Sequence, residues 1–385
     1  MKRHVLHLIG SDLVGGPEKQ ILHHAEDMRG SDYEIEIGSF HDLSEPPEIL
    51  TAAEERGILT LCLKGGLRWD MVHELAGQLR RRKGHLLCTH GFKANVVGYL
   101  ASRMTNTLHI PCLRGWTAET WRVVVYETIE RQVLRRAPIV VCVSARQAEQ
   151  IGRMRGNRRQ PVVIPNAMLP PYSRFTGEEV SRRRLGIPED AFVFGSVGRL
   201  SAEKGHRFMI SAFREASAAA DVPQSLRLIV VGDGREQPAL EQQAAALGIR
   251  GQVHFAGFQG DPAAWMRLLD CMVQPSLTEG TPNSVLEALC LQVPVVATAV
   301  GGVPDLIVHG QNGLLVPARD SHALAAAMLD VARSPELKAK LIAGASSLKG
   351  EYAPETQRQR FIDVYEMAFA SRQPSALPQS ESLKA

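Results

Sequence analysis

The stretch "FVFGSVGRLSAEKGHRFMISAF", residues 192–213, changes its period halfway along. It opens as a short apolar run of strand length, rich in Phe and Val. It closes with Met209 and Phe213 one helical turn apart, and a small-residue loop joins the two parts. A strand, a glycine loop and a helix in that order form the repeating unit of a parallel sheet. Working outward, the same unit recurs at "LRLIVVGDG" (226–234) with a helix over 237–247, and "QVHFAGF", "CMVQPS", "PVVATAV" and "GLLVPA" supply further strands. Upstream, "HVLHLIG" (4–10) runs through a glycine loop into the helical "PEKQILHHAEDM". "YEIEIGSF", "ILTLCLKG", "HLLCTHG", "TLHIPCLRG" and "PIVVCVSA" then alternate with helical stretches such as 70–82 and 93–103.

The two series are separated by the Pro-rich "VIPNAMLPPYSRF". At 385 residues the chain is too long for one ordinary core. The reading is therefore α/β, with two facing Rossmann-like domains and a cleft between them: residues 1–170 and 171–353. The last helical stretch, 354–370, carries an apolar stripe of Phe361, Ile362, Val364, Tyr365 and Phe369. Residues 371–385, "SRQPSALPQSESLKA", read as a disordered tail.

Composition is that of a globular protein, 44% apolar and 22% charged, and a net charge of +3 excludes a general polyanion binder; no nucleic-acid partner is expected. Lys and Arg do outnumber Asp and Glu strongly across residues 68–159. Such a stripe is either a solvated helical face or a contact for an anionic partner such as membrane lipid. Six dispersed cysteines with no C-x-x-C pair read as small buried hydrophobes in a reducing compartment. The apolar stretch near the N-terminus is too short for a signal sequence, and no run reaches the length of a membrane span. A cytoplasmic location is expected.

In open α/β sheets, ligands bind outside the carboxyl ends of strands, so the residues there carry the chemistry. After "CMVQPS" comes "EGTPNSVLEAL" (279–289), with Glu279 before a Gly-Thr-Pro turn and Glu287 in the helix beyond. Ionised carboxylates suit the vicinal hydroxyls of a ribose or a sugar ring. Equally, Ser284 and Glu287 have the spacing of a helix capping box, with Asn283 or Ser284 as the cap. Arg199 and Lys204 flank the loop after residues 192–197, placed to stabilise a departing diphosphate or simply to lie exposed. Gly15 and Gly16 allow close backbone approach, but "GSDLVGGPEKQ" (10–20) lacks both the G-x-G-x-x-G and the P-loop spacing. His90 also ends a strand. No Asp-x-Asp occurs, so no metal site for a diphosphate is expected.

Taken in order, these stretches resemble the retaining glycosyltransferases of family 4 (the group 1 glycosyltransferases), which have the GT-B architecture. The resemblance runs through "GG" (15–16), "TH" (89–90), "VSARQAEQI", "VIPNAM", "GRLSAEKG", "VVGDGRE", "VHFAGF", "PSLTEGTPNSVLEALCLQVPVVATAVGGVPDLI" and "NGLLVPARD". It covers nearly the whole chain and is strongest in the C-terminal half. It implies a nucleotide-sugar donor, a UDP-sugar with GDP-mannose as the rival, held by the second domain. A glycan or lipid-linked acceptor would be held by the first, in surface polysaccharide or glycolipid assembly.

By position, the resemblance makes Glu279 a contact of the sugar hydroxyls and Glu287 of the ribose diol, with Arg199 and Lys204 neutralising the diphosphate. Gly15, Gly16, Gly198, Gly280, Thr281, Pro282, Asn283 and Ser284 would line the donor, with His90 near its ring. The anomeric configuration would be retained without a metal or other cofactor. The final helix would cross back to the first domain. Segment 114–136, with Trp116, Trp121 and its arginines, is either a packed helix or a peripheral contact with the inner face of the membrane. A nucleotide-sugar 2-epimerase on the same architecture, or a binding protein without chemistry, remains the alternative.

Overall fold

The computed structural model describes all residues except 1, 12–13, 42–45, 65–67, 83–85, 115–120, 157, 170–179, 220–224, 349 and 372–385. The tail expected at 371–385, part of the Pro-rich connection, and Trp116 thus lie outside the described residues.

The apolar runs of the first half form β1 (Arg3–Ile9), β2 (Tyr33–His41), β3 (Leu59–Lys64), β4 (Leu86–His90), β5 (Leu108–Leu113), β6 (Val141–Cys142) and β7 (Val162–Val163). They lie in the order β3-β2-β1-β4-β5-β6-β7, with every pairing parallel. In the second half, β8 (Phe192–Val197), β9 (Leu226–Val231), β10 (Val253–Gly257), β11 (Cys271–Gln274), β12 (Val295–Thr298) and β13 (Leu314–Val316) form a second parallel sheet, ordered β10-β9-β8-β11-β12-β13. Both sheets are covered by helices, and both are doubly wound. β7 escapes the sequence reading because two valines show no period.

Alternation along the strands sorts each core into two faces. In β8, Phe192 and Phe194 point to one face, and Val193 and Val197 to the other. In β1, Val5 and Ile9 join the face that packs on the helix Gly16–Asp27, while Leu6 and Leu8 join the opposite one. The helix Pro354–Ala370 lies in the first domain, with Phe361, Val364, Tyr365 and Ala368 buried in the core of Val5, Ile21 and Leu22. Their spacing of three and four residues is one helical face.

Strand order reverses between β1 and β4 in the first sheet and between β8 and β11 in the second. These are the two points where a crevice opens at the carboxyl ends. The loops after β1, β4, β8 and β11 carry the Gly15-Gly16 pair, His90, Arg199 with Lys204, and Glu279.

Candidate active site

The loop after β8 ends in a short 3₁₀ turn, Ala202–Lys204, that brings Lys204 across to the loop after β11. Lys204 Nζ lies 2.7 Å from Glu279 Oε1. The same oxygen accepts from Gln274 Nε2 at 2.7 Å and from Ser276 Oγ at 2.6 Å. All three bonds fall on Oε1, so Oε2 keeps its acceptor capacity. Arg199 Nη2 donates to Glu203 Oε1 at 2.9 Å, while the Arg199 side chain stays 60% exposed. Burial pushes the Glu203 carboxyl upward, but hydrogen bonds from Ser201, its own backbone and Arg199 outweigh this and hold it below the usual carboxylate range. Each cation therefore has its own carboxylate. Glu203 is visible in the sequence only as the residue four beyond Arg199.

One further segment, the Gly301-Gly302 pair, packs directly against Glu279 and Gly280. Gly301 has φ +54°, and a Cβ there would lie 1.8 Å from the Glu279 carbonyl oxygen, so the loop tolerates only glycine. Gly302 N donates to Gly280 O at 2.8 Å.

The helix Asn283–Cys290 follows, and here the capping box does not form. The cap position is Pro282, with no side-chain hydrogen bond to the helix. Ser284 Oγ instead donates to Gln274 Oε1 at 3.1 Å. Neither Asn283 nor Ser284 caps, because Gln274 and a facing glutamine compete for their side chains. Glu287 consequently has no hydrogen-bond partner among the described residues. Burial raises its carboxyl above the ordinary range, opposed by Lys19 across the cleft and aided by Asp261.

From the first domain, the start of the helix Gly16–Asp27 closes on Asn283. A Cβ on Gly16 would sit 2.1 Å from Asn283 Nδ2, so the backbone of the first domain here meets the Asn283 side chain of the second directly. Gln20 Nε2 donates to Asn283 Oδ1 (3.1 Å) and to Ala167 O (2.9 Å), and Gln20 Oε1 accepts from Ala167 N and Gln357 Nε2. Gln20 thus ties the connecting segment, the returning helix and the second domain together.

His90 is buried at the end of β4, with both ring nitrogens engaged. Nδ1 accepts from Arg114 Nη2 at 3.0 Å, and Nε2 meets His7 Nδ1 at 2.9 Å. Burial first, then the neighbouring Arg114 guanidinium and His7, lower its pKa well below the ordinary imidazole value. Arg114 Nη1 donates to Asn166 Oδ1 at 3.0 Å, and Asn166 Nδ2 donates to Thr281 O at 2.9 Å. The Thr281 hydroxyl donates to Val143 O. A polar path therefore runs from His90 to the loop that carries Glu279. Arg114, Asn166, Gln274 and Glu203 were not singled out in the sequence. Arg114 and Asn166 stand inside stretches that drew notice for other reasons, and nothing local marks their partners.

Gly16 thus meets Asn283 and Lys204 meets Glu279, which brings the chain after β1, β8 and β11 together. Gly15, Gly198, Arg199, Gly280, Thr281, Pro282 and Ser284 flank these contacts along the chain, Glu287 follows one turn into the helix, and His90 is linked to Thr281 through Arg114 and Asn166. Among the described residues, no group of three His, Cys, Asp or Glu side chains is placed to hold a metal ion, and no helix is long and apolar enough to cross a membrane.

Residues 177–347 match the family described as Glycosyl transferases group 1, and residues 15–167 match the Glycosyl transferase 4-like domain. The 2-deoxystreptamine N-acetyl-D-glucosaminyltransferase of Streptomyces fradiae is 34% identical over 329 residues, covering 81% of this chain and 74% of the relative. The lipopolysaccharide core biosynthesis glycosyltransferase LpsE of Rhizobium meliloti (strain 1021) is 31% identical over 243 residues, 62% of this chain and 66% of that one. Among solved structures, Anabaena Alr3699/HepE in complex with UDP-glucose matches with a TM-score of 0.80 at 23% identity, over 94% of this chain and 99% of its own. That likeness is one of fold, the two facing Rossmann-like domains of the GT-B architecture.

Proposed function

This chain belongs to the group 1 glycosyltransferases, and on that premise we propose that it transfers a sugar from a UDP-sugar to an acceptor hydroxyl, with retention of the anomeric configuration and without a metal. The observation that carries this reading is the Lys204–Glu279 pair at the β8/β11 switch point, with Arg199 beside it. A lysine ammonium has three donors, and one suffices for Glu279, so two remain for a diphosphate. Glu279 Oε2 is left for a sugar hydroxyl. Glu287, with no hydrogen-bond partner among the described residues, has both oxygens for a ribose diol.

Leaving-group stabilisation by fixed cations, with the acceptor hydroxyl held beside the departing diphosphate, supplies the rate in this reading. The departing diphosphate oxygen takes the acceptor proton on the face where the sugar bond breaks, which accounts for retention without an enzymic nucleophile. His90 acts from below, through Arg114. The UDP preference draws support from the UDP-glucose complex of the Anabaena protein, and the surface-polysaccharide or glycolipid setting from the lipopolysaccharide relative. A lipid-linked acceptor and peripheral contact with the inner face of the membrane fit the helix Trp121–Arg136. That helix exposes Val125 and Ile129 one turn apart near Arg135 and Arg136.

The test is a panel of nucleotide sugars, with EDTA present, scored by thermal shift and by slow donor hydrolysis, on wild type and Lys204→Ala. One UDP-sugar should stabilise both proteins and be hydrolysed by wild type, at a rate lowered roughly 10²-fold in the variant. Loss of wild-type hydrolysis in EDTA would remove the metal-free mechanism. No stabilisation by any nucleotide sugar would remove the donor assignment.

A further inference from the structure

Four buried polar side chains and the half-buried Arg114 form a single file behind the Glu279 loop. Arg114 donates to His90 Nδ1, and His90 Nε2 meets His7 Nδ1 at 2.9 Å. His7 Nε2 meets Tyr365 Oη at 2.8 Å, and Tyr365 Oη meets His24 Nε2 at 2.8 Å. His7, His24, His90 and Tyr365 are each at most 2% exposed.

The direction of every bond follows from one end. A guanidinium has donors only, so His90 Nδ1 must be the bare, accepting nitrogen. A neutral imidazole then carries its proton on Nε2 and donates to His7 Nδ1. By the same logic His7 donates from Nε2 to the Tyr365 oxygen. The phenol hydrogen has one acceptor left, His24 Nε2. His24 Nδ1 closes the file with no protein partner. Reversing any member sets two N–H groups against each other, as far as Arg114 itself.

We propose that Tyr365 and His7 are positioning residues: by receiving the polarity that Arg114 imposes on this one-way file they lock the His90 ring in place, and thereby hold Arg114 on Asn166, whose amide donates to the Thr281 carbonyl of the Glu279 loop. Tyr365 sits on the returning helix, so the last ordered helix of the chain sets the posture of a loop in the other domain. This rests on the reading of that loop as the donor site. The apolar neighbours Phe361 and Val364 would suffice to hold the helix down. A phenol that bridges two buried histidines is not needed for packing.

The experiment uses full-length protein with ¹⁵N-labelled histidine. Long-range ¹H–¹⁵N spectra of wild type should show His90 and His7 both protonated at Nε2 alone. In Tyr365→Phe, His7 Nε2–H loses its acceptor while Arg114 still holds His90 protonated at Nε2, so the His7 signal should shift to the other tautomer or a mixture, breaking its bond to His90. Turnover should fall about 10-fold, with the donor KM changed less than about 3-fold. His7→Gln offers an amide oxygen and nitrogen in the same polarity and should keep turnover within about 3-fold of wild type, while His7→Leu should lose what Tyr365→Phe loses. An unchanged His7 tautomer in Tyr365→Phe overturns the proposal. So does full turnover in both Tyr365→Phe and His7→Leu, even if their melting temperatures drop. A wild type that turns over no nucleotide sugar would instead sink the donor-site reading, and the tautomer spectra would still decide the file.

Discussion

Acidification should unfold this protein early, through its buried histidines. His7, His24, His90 and His206 are each at most 4% exposed. In all four, burial is the main cause of a lowered pKa: His24 falls to about 3 and His206 to about 4, and His7 and His90 lie well below the ordinary value. Positive neighbours add to it, Arg114 for the first three and Lys204 for His206. The unfolded chain, with imidazoles near pH 6.5, takes up protons first. Stability is therefore complete above about pH 6.5 and is lost as pH falls toward the folded values.

At pH 5.5 an unfolded histidine gains about 1.4 kcal/mol over one that stays neutral, so the four together cost roughly 5–6 kcal/mol. That is comparable with the whole stability of an ordinary domain, about 5–15 kcal/mol. Glu36 and Glu287, whose pKa values burial raises, work in the opposite sense, but only lower, in the carboxylate range. The measurement is urea unfolding at pH 7.5, 6.5 and 5.5 at constant ionic strength. The second should lie about 1.4 kcal/mol below the first, and the third should fall roughly 4 kcal/mol further. A change of less than about 2 kcal/mol between pH 7.5 and 5.5 would mean that these imidazoles are hydrated or already protonated in the fold, and the argument would fail.

Other perturbations separate the parts of the site. Arg199→Ala removes a cation that is mostly exposed, so turnover should fall about 10²-fold while the melting temperature holds. Glu287→Gln breaks no hydrogen bond within the protein; thermal-shift titration should show weaker nucleotide binding on an unchanged fold, and a destabilised protein with normal binding would contradict this. Gly16→Ala drives a methyl group into Asn283, so single-turnover kinetics should show slower sugar transfer, by about 10-fold, with each domain still melting normally. Unaltered kinetics there would mean that the two loops need not touch during reaction.

Much of the fold was legible because each strand is an apolar run between glycine loops, and the parallel order follows once helices alternate with strands. The loop residues were legible for the same reason: strand ends are where a doubly wound sheet can hold a ligand, and "GRLSAEK" and "EGTPNS" stand at two of them. What the residues do to one another was not. Lys204 and Glu279 are 75 positions apart, and the pair depends on two strands, β8 and β11, lying side by side. The Ser284–Glu287 spacing pointed to a capping box because only local partners are visible in a sequence. Gln274, on the preceding strand, won the hydroxyl and left the carboxylate free. His7 read as one more residue of an apolar strand. Its partner Tyr365 lies 358 positions later.

The returning helix also sets a timetable. The apolar face of β1 and of the helix Gly16–Asp27 leaves the ribosome before the whole second domain, yet Phe361, Val364 and Tyr365, which complete that core, leave after it. Until they arrive, the first domain carries an open hydrophobic face for the whole time the second is being made. It can acquire its final form only after its partner has been synthesised, so the two halves mature nearly together. A nascent chain stalled before residue 354 would be a client for chaperones.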